Sequence, residues 1–167
     1  WFGISGNSKG WIASFLADRT QEVLVEGARS NSKEVLSGVP QGSVLGPCLF
    51  LLYINDIAQG LHSTTRLFAD DTMIYIAVKN DQDAAQLQTD LNKLTEWEKK
   101  WMMEFHPGEC EVISITRSPK PIHYQYTLHG QNLKHVDTIK YLGVKINKDL
   151  RWNQHISMVT KKANNSL

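Results

Sequence analysis

Apolar residues recur every three or four positions through one long segment of the chain. They are Leu87, Leu91, Leu94, Trp97 and Trp101. This spacing gives an α-helix one apolar stripe, so it predicts an amphipathic helix over Asp83 to Glu104. Acids at 81 and 83 favour its start because they interact well with the positive end of the helix dipole, and Pro107-Gly108 is expected to end it.

Three further helices are predicted from shorter patterns. Ser8 is a candidate N-cap for the first of them. Its apolar face would consist of Trp11, Ile12, Phe15 and Leu16. The apolar run from Leu49 to Ile57 predicts a buried helix that ends near Gly60, and a polar helix is expected from Asn153.

Runs of strand-forming residues occupy the segments between these helices. They are Gln21 to Glu26, Glu34 to Leu36, Glu111 to Thr116, Tyr124 to Leu128, Leu133 to Val136 and Lys140 to Ile146. Two more runs, within residues 66–76, flank Asp70-Asp71 and predict a β-hairpin with the acid pair at its turn. Since helices and strands alternate without repeats or long linkers, we predict one α+β domain, an antiparallel sheet with helices packed on one face.

The acid pair raises a question of chemistry. Neighbouring carboxylates repel each other and strand interiors disfavour Asp, so the pair costs stability unless solvent or a cation offsets its charge. Carboxylate oxygens suit Mg²⁺, which is usually held by one or two protein carboxylates, waters and substrate phosphates. A tight turn also accepts Asp, whose side chain hydrogen-bonds nearby backbone. These residues alone leave both interpretations open.

A glycine-rich loop precedes the second predicted helix. Gly38, Gly42 and Gly46 allow a close approach of the backbone to another large group, and Gln41 and Ser43 add hydrogen-bonding side chains. Backbone N–H groups at a helix start favour anionic ligands. The loop is neither a P-loop nor a nucleophile elbow, because the Lys-Ser/Thr pair and the Gly-x-Ser-x-Gly spacing are both missing. A turn that simply needs glycines remains the alternative.

Composition is that of an ordinary globular protein, because 41% of the 167 residues are hydrophobic and 21% are charged. The net charge of +1 conceals an asymmetry. Residues 67–111 hold ten acids and four bases, whereas residues 112–167 hold nine bases and two acids. This charge distribution is consistent with a cation-binding site next to a surface that binds a polyanion. It is equally consistent with charged surfaces that only face solvent.

Cysteines and apolar runs limit the expected surroundings of the protein. Cys48 and Cys110 are too few for a disulfide framework and lack metal-ligand spacing, so we expect buried free thiols and no disulfides. The longest apolar run, Cys48 to Ile54, is far short of the roughly 20 residues that span a bilayer. We therefore expect an intracellular protein, nuclear or cytoplasmic, without a membrane partner. A first residue of Trp1 suggests a piece of something longer.

Three segments follow one another in an informative order. Residues 37–47 read Ser-Gly-Val-Pro-Gln-Gly-Ser-Val-Leu-Gly-Pro, and Phe68-Ala69-Asp70-Asp71 and Tyr141-Leu142-Gly143 come after them. They resemble the template and nucleotide block, the catalytic acid block and the primer-gripping hairpin in the palm of reverse transcriptases from jockey-type non-LTR retrotransposons. Weaker similarity at residues 1–6, 52–57 and 97–110 extends the resemblance over nearly the whole chain.

The resemblance implies RNA-templated DNA synthesis with two Mg²⁺ ions, or Mn²⁺ instead, and with an RNA template, a DNA primer and dNTP as partners. It implies that Asp70 is a catalytic metal ligand and that Asp71 assists at the metal site. Nucleotide and template contacts are implied for Pro40, Gln41, Gly42 and Ser43. The primer grip is implied for Tyr141, Leu142 and Gly143. Residues 1–150 would form the palm, and residues 151–167 would begin a connection to the thumb.

Two features depart from the family pattern. The first metal-binding aspartate of the family lies upstream of the segment similar to residues 1–6, so we expect this chain to lack it and to polymerise nothing alone. Glu109 stands where similar proteins commonly carry Lys, a proposed proton donor to pyrophosphate. These departures leave open a relic or domesticated palm fragment that binds nucleic acid or a protein partner. An intron maturase, an RNA-templated RNA polymerase and an unrelated interaction domain are further alternatives.

Overall fold

A computed structural model describes residues 2–165 of the chain. Trp1, Ser166 and Leu167, which belong to the predicted segments 1–6 and 151–167, lie outside the described residues. The chain divides into two compact units. The first unit comprises the chain up to Gly60 together with Thr65–Met73. The second unit comprises Leu61–Thr64 and the chain from Ile74 onward. Within residues 2–165, no helix is both long and apolar enough to cross a membrane.

Helices and short strands alternate along the chain, as predicted. The elements as far as the acid pair are α1 (Gly6–Leu16), β1 (Thr20–Gln21), β2 (Leu24–Val25), β3 (Ala28–Arg29), β4 (Lys33–Glu34), α2 (Gly46–Ile54), β5 (Thr64–Phe68) and β6 (Asp71–Tyr75). Those that follow are α3 (Asp81–Trp101), a 3₁₀ helix (Pro107–Glu109), β7 (Glu111–Val112), β8 (Thr127–Leu128), β9 (Gln131–Asn132), β10 (Lys134–His135), β11 (Thr138–Tyr141), β12 (Val144–Asn147) and α4 (Asn153–Asn164).

The strands form small separate sheets rather than the single antiparallel sheet that we predicted. Across residues 2–165 there are six two-stranded sheets, and one of them, β7 with β10, is parallel. The strand predicted over Glu111 to Thr116 ends at Val112. Every strand is only two to five residues long, so the sheets are short.

Two nested hairpins follow α1. The outer one pairs β1 with β4, and the inner one pairs β2 with β3, both antiparallel. The predicted pairing of the two strand segments is confirmed in outline, but the inner hairpin occupies part of the expected polar loop. Its turn residues Glu26 and Gly27 both have positive φ, 49° and 84°. This is the conformation of a type I′ turn, whose twist matches that of the flanking strands.

The two helices of the first unit differ from their predictions. Helix α1 begins at Gly6 after Ser5, so Ser8 lies within the helix and the prediction that it caps the helix is wrong. Helix α2 is not a buried helix, because only Gly46 and Ile54 of its residues are buried. Cys48 on this helix is exposed, which corrects the expectation of a buried thiol.

Helix α3 is the longest element and begins as the acids at its start predict. Asn80 accepts a hydrogen bond from the Asp83 N–H at 3.0 Å, and the Asp83 carboxylate accepts one from the Asn80 N–H at 3.3 Å, which completes a capping box. The helix ends at Trp101 and is capped by Met102, which adopts a left-handed conformation with φ 53°. Pro107 comes five residues later, so the prediction that proline ends the helix is wrong.

Helix α3 packs on the core of the second unit. That core consists of Tyr126, Leu128 and Leu133. Partly buried side chains pack around it: Leu87, Leu91, Phe105, Cys110, Val112 and Tyr124. The Gln88 amide donates to the Thr127 carbonyl at 3.0 Å and accepts from the Thr127 N–H at 2.8 Å, so one side chain of α3 satisfies both backbone groups of a β8 residue.

Candidate functional site

The predicted carboxylate hairpin is present. Strands β5 and β6 pair with each other, and Ala69 and Asp70 form the two-residue turn between them. Asp71 is the first residue of β6. Ala69 has φ 51°, a left-handed conformation that is unfavourable for a residue with a Cβ atom. The prediction of a β-hairpin with the acid pair at its turn is therefore confirmed, and the turn contains local backbone strain.

Both carboxylates of this turn are exposed. Within residues 2–165, neither side chain makes a hydrogen bond or an ion pair with the protein. The same part of the chain brings no three His, Cys, Asp or Glu side chains together in a way that could hold a metal ion. Asp70 and Asp71 thus provide hard oxygen donors with uncompensated charge, which could contribute two carboxylates to a magnesium site completed by further ligands.

The loop before α2 owes its shape to Ser43. Its hydroxyl donates to the Pro40 carbonyl at 2.7 Å and accepts from the Gly46 N–H at 2.9 Å. A Cβ atom at Gly46 would lie 2.7 Å from the Pro40 oxygen and 2.8 Å from Ser43 Oγ, so only glycine fits. Gln41 and Gly42 are exposed, and Gly42 has φ 77°. The loop thus presents Gln41 and the Gly42 backbone to solvent, while Ser43 is engaged internally.

Arg19 holds the start of this loop, which sequence reasoning missed. Its guanidinium donates to the carbonyls of Ser37 at 3.2 Å and Gly38 at 2.6 Å, and its Nε donates to the Leu16 carbonyl at 3.0 Å. Two of these carbonyls lie 18 and 19 residues away in sequence. Because the partners are backbone atoms distant along the chain, no residue pattern indicates the contact.

Asp90 of α3 is also a residue that sequence reasoning missed. It is fully buried, and its Oδ2 accepts hydrogen bonds from the His62 N–H at 3.0 Å, the Ser63 N–H at 2.7 Å and the Ser63 hydroxyl at 2.6 Å. Burial acts to raise the pKa of Asp90, but these bonds and the Lys93 ammonium outweigh it and hold the pKa below its ordinary value. The available signal was an acid on the apolar stripe between Leu87 and Leu94.

A second buried acid of α3, Glu98, holds the backbone at Phe105, four residues before Glu109. The Glu98 carboxylate accepts the N–H of Phe105, and His129 Nε2 lies 3.2 Å and 3.1 Å from its two oxygens. Burial, followed by the negative charges of Glu98 and Glu109, raises the pKa of the Cys110 thiol. Glu109 itself is exposed at the end of the 3₁₀ helix.

Tyr141, Leu142 and Gly143 lie at the β11–β12 hairpin. Tyr141 pairs with Val144, and the turn residues Leu142 and Gly143 have φ 47° and 82°. The prediction of one continuous strand over Lys140 to Ile146 is wrong, because this type I′ turn divides it into two strands. The Pro40 to Ser43 loop and the acid pair belong to the first unit, whereas this turn belongs to the second.

Comparison with known proteins places the sequence of this chain in a family. Residues 2–146 match the family described as reverse transcriptase (RNA-dependent DNA polymerase). The chain is 29% identical over 157 residues, or 89% of its length, to the RNA-directed DNA polymerase from mobile element jockey of Drosophila melanogaster. It is 32% identical over 155 residues, or 87% of its length, to the protein of the same name from Drosophila funebris. It is 31% identical over 157 residues, 89% of the chain, to the probable RNA-directed DNA polymerase from transposon X-element of Drosophila melanogaster.

No solved structure matches the chain. It spans 17% of the length of each of these three curated relatives. The family match nevertheless covers most of the chain and includes both the glycine-rich loop and the acid hairpin. The chain belongs to the reverse transcriptase family of RNA-dependent DNA polymerases.

Proposed function

We propose that this chain is the palm of an RNA-directed DNA polymerase that copies the RNA of a jockey-type mobile element into DNA. The observation that carries the proposal is the pair of exposed carboxylates, without a protein partner in residues 2–165, at the two-residue turn of β5 and β6. In this proposal residues 1–150 form the palm, residues 151–167 begin a connection to the thumb, and the protein acts in the nucleus or the cytoplasm.

Asp70 and Asp71 are proposed to hold divalent cations, Mg²⁺ or Mn²⁺, in the full active site. Bound cations would supply charge neutralisation for the triphosphate and a more acidic primer hydroxyl. Because both carboxylates are exposed, substrate phosphates and waters can provide the remaining oxygen ligands. The chain contributes donors fixed on a hairpin, and the substrates complete the site.

The loop of Pro40, Gln41, Gly42 and Ser43 is proposed to contact the incoming dNTP and the RNA template. Gln41 offers an exposed amide that can donate and accept, and Gly42 lets the backbone approach a base or sugar without a Cβ atom in the way. Ser43 acts from inside the loop by tying Pro40 to Gly46. The loop thus has a fixed shape and an accessible polar tip.

The turn of Tyr141, Leu142 and Gly143 is proposed to hold the DNA primer. It projects from the most regular hairpin of the second unit, in which four residue pairs are in register. The basic excess of residues 112–167 supports contact with a nucleic-acid backbone in this part of the chain.

Glu109 favours a second candidate, a palm that binds nucleic acid or a protein partner without catalysing synthesis. Its carboxylate is exposed where the resemblance implies a lysine near pyrophosphate, and it would repel that group. This candidate keeps the fold and the family and abandons the reaction.

Primer extension on an RNA template with Mg²⁺ and dNTPs tests the proposal in the longest reading frame that contains this chain. We expect Asp70→Asn to abolish extension and Asp81→Asn, which alters an exposed acid at the start of α3, to leave it intact. Extension that survives Asp70→Asn would contradict the catalytic assignment. A protein that binds the RNA–primer duplex but extends nothing would favour the non-catalytic candidate.

A further inference from the structure

The base of the carboxylate hairpin is tied to α3 by one buried side chain. Ser63 directly precedes Thr64, the first residue of β5, and the Asp90 carboxylate holds both Ser63 and His62. We infer that Asp90 is a positioning residue, which fixes the base of the hairpin whose tip carries Asp70 and Asp71. The inference rests on the proposed function, because it gives the hairpin its metal-binding role.

The geometry of the contact fixes orientation as well as distance. Two consecutive backbone N–H groups and one hydroxyl converge on the same oxygen, Oδ2 of Asp90, at 2.6–3.0 Å. The other oxygen lies 3.4 Å from the Gln86 amide and 3.5 Å from the Lys93 ammonium. With both N–H groups held, the backbone at His62 and Ser63, the two residues that precede β5, cannot rotate freely.

The backbone conformation at the base matters because strand side chains alternate between two faces. A half-turn of the backbone at Ser63 would exchange the two faces of the strand that follows it. A turn that positions metal ligands tolerates little such movement, since carboxylate oxygens must stay within coordination distance. The base of the hairpin is therefore where positional control is most effective.

Apolar packing does not explain why an aspartate occupies position 90. Asp90 lies on the apolar stripe of α3 with Leu87 one turn before it and Leu94 one turn after it, and it is fully buried. A buried charge is unfavourable unless hydrogen bonds satisfy it, so an apolar side chain would be the simpler way to fill this position. The carboxylate instead satisfies three donors at the start of β5, which an apolar side chain cannot do.

Amide hydrogen exchange on the 167-residue chain tests the anchor. Asp90→Asn removes the charge, Ser63→Ala removes one of the three bonds, and Glu96→Gln is a matched control that neutralises an exposed acid on the same helix. We expect the amides of residues 62–75 to exchange about ten- to a hundred-fold faster in Asp90→Asn, and less so in Ser63→Ala. Amides of β11 and β12 should keep their wild-type rates, as should the whole control.

Mn²⁺ provides the readout that a merely stabilising residue would not change. Paramagnetic broadening of the Asp70 and Asp71 amide signals should require a several-fold higher Mn²⁺ concentration in Asp90→Asn, at a temperature where the variant is folded. Wild-type exchange at residues 62–75, or wild-type Mn²⁺ broadening in both variants, would overturn the inference. If Asp90→Asn fails to fold, Ser63→Ala decides by the same two measurements.

The two levels of the proposal fail differently. If Mn²⁺ does not broaden the Asp70 and Asp71 amide signals of the wild-type chain, that result would contradict the metal-binding role of the hairpin. The proposed positioning of metal ligands by Asp90 would then be wrong as well. Hydrogen exchange would then still show whether Asp90 holds the hairpin base. A wild-type Mn²⁺ response that Asp90→Asn leaves unchanged would instead reject the inference and keep the proposed function.

Discussion

Replacing Gly46 by Ala should destabilise the glycine-rich loop and the start of α2. The added Cβ atom would lie 2.7 Å from the Pro40 carbonyl oxygen and 2.8 Å from Ser43 Oγ, both well inside contact distance. The same two atoms form the 2.7 Å hydrogen bond that gives the loop its shape. Neither can move away without weakening that bond, because one is backbone and the other belongs to a short side chain.

The magnitude follows from these two effects. Overpacking of this kind costs about 1–3 kcal/mol, and a weakened hydrogen bond adds about 1 kcal/mol. The helix propensity of Ala recovers little, since Gly46 is the first residue of α2. A loss of about 2–4 kcal/mol corresponds to opening that is roughly 30- to 700-fold more frequent, because each 1.4 kcal/mol is a factor of ten.

Hydrogen exchange of the Leu49 amide, which donates to the Leu45 carbonyl at 2.9 Å, reports this opening. Gly10→Ala is the matched control: Gly10 lies within α1, and nothing stands within 4 Å of its added Cβ atom. There Ala should stabilise the helix by about 1 kcal/mol and slow exchange of the Ala17 amide about fivefold. An unchanged Leu49 amide in Gly46→Ala, or exchange shifted the same way in both variants, would refute the steric argument.

Three more predictions concern single groups. The pKa of Asp90 in the folded protein lies below its ordinary value of 3.8. The ionised carboxylate should therefore contribute its full stabilisation above that pH and lose it as the pH falls through the folded pKa. The difference in unfolding free energy between wild type and Asp90→Asn, measured by urea titration, should shrink below about pH 4. A shrinkage on raising the pH would contradict this. At pH 8, iodoacetamide should modify exposed Cys48 before half-buried Cys110, whose raised pKa leaves less thiolate, and mass spectrometry of the digested chain should show that order. Leu142→Asn should stabilise the β11–β12 hairpin by about 0.5–1 kcal/mol, because Asn-Gly suits the two positive φ angles of its turn, and a lower unfolding free energy would argue against that explanation.

Local patterns were sufficient for several elements. The three- and four-residue spacing of apolar side chains located α3 to within two residues at its start, because the stripe is a property of the helix itself. The strand-forming runs around Asp70 and Asp71 located the hairpin. The capping box at Asn80 and Asp83 likewise depends only on residues three apart. Each of these features is encoded in neighbouring residues.

Other predictions failed where distant contacts competed. Helix α3 ends at Trp101 with a left-handed cap at Met102, and the Phe105 N–H that follows is held by Glu98, so the helix stops before proline is reached. The expected single sheet is divided into short pairs, and in the run from Lys140 to Ile146 the type I′ turn at Leu142-Gly143 separates β11 from β12.

The sequence by itself determined the family, the order of helices and strands, and the turn that carries Asp70 and Asp71. Each of these features depends on patterns among residues that are close together along the chain. Only the tertiary structure revealed the roles of Arg19 and Asp90. Each contacts backbone groups 18 to 28 residues away, and any residue type can supply a carbonyl or an N–H. Sequence therefore identifies the carboxylates, whereas folding decides what holds the base of the hairpin that presents them.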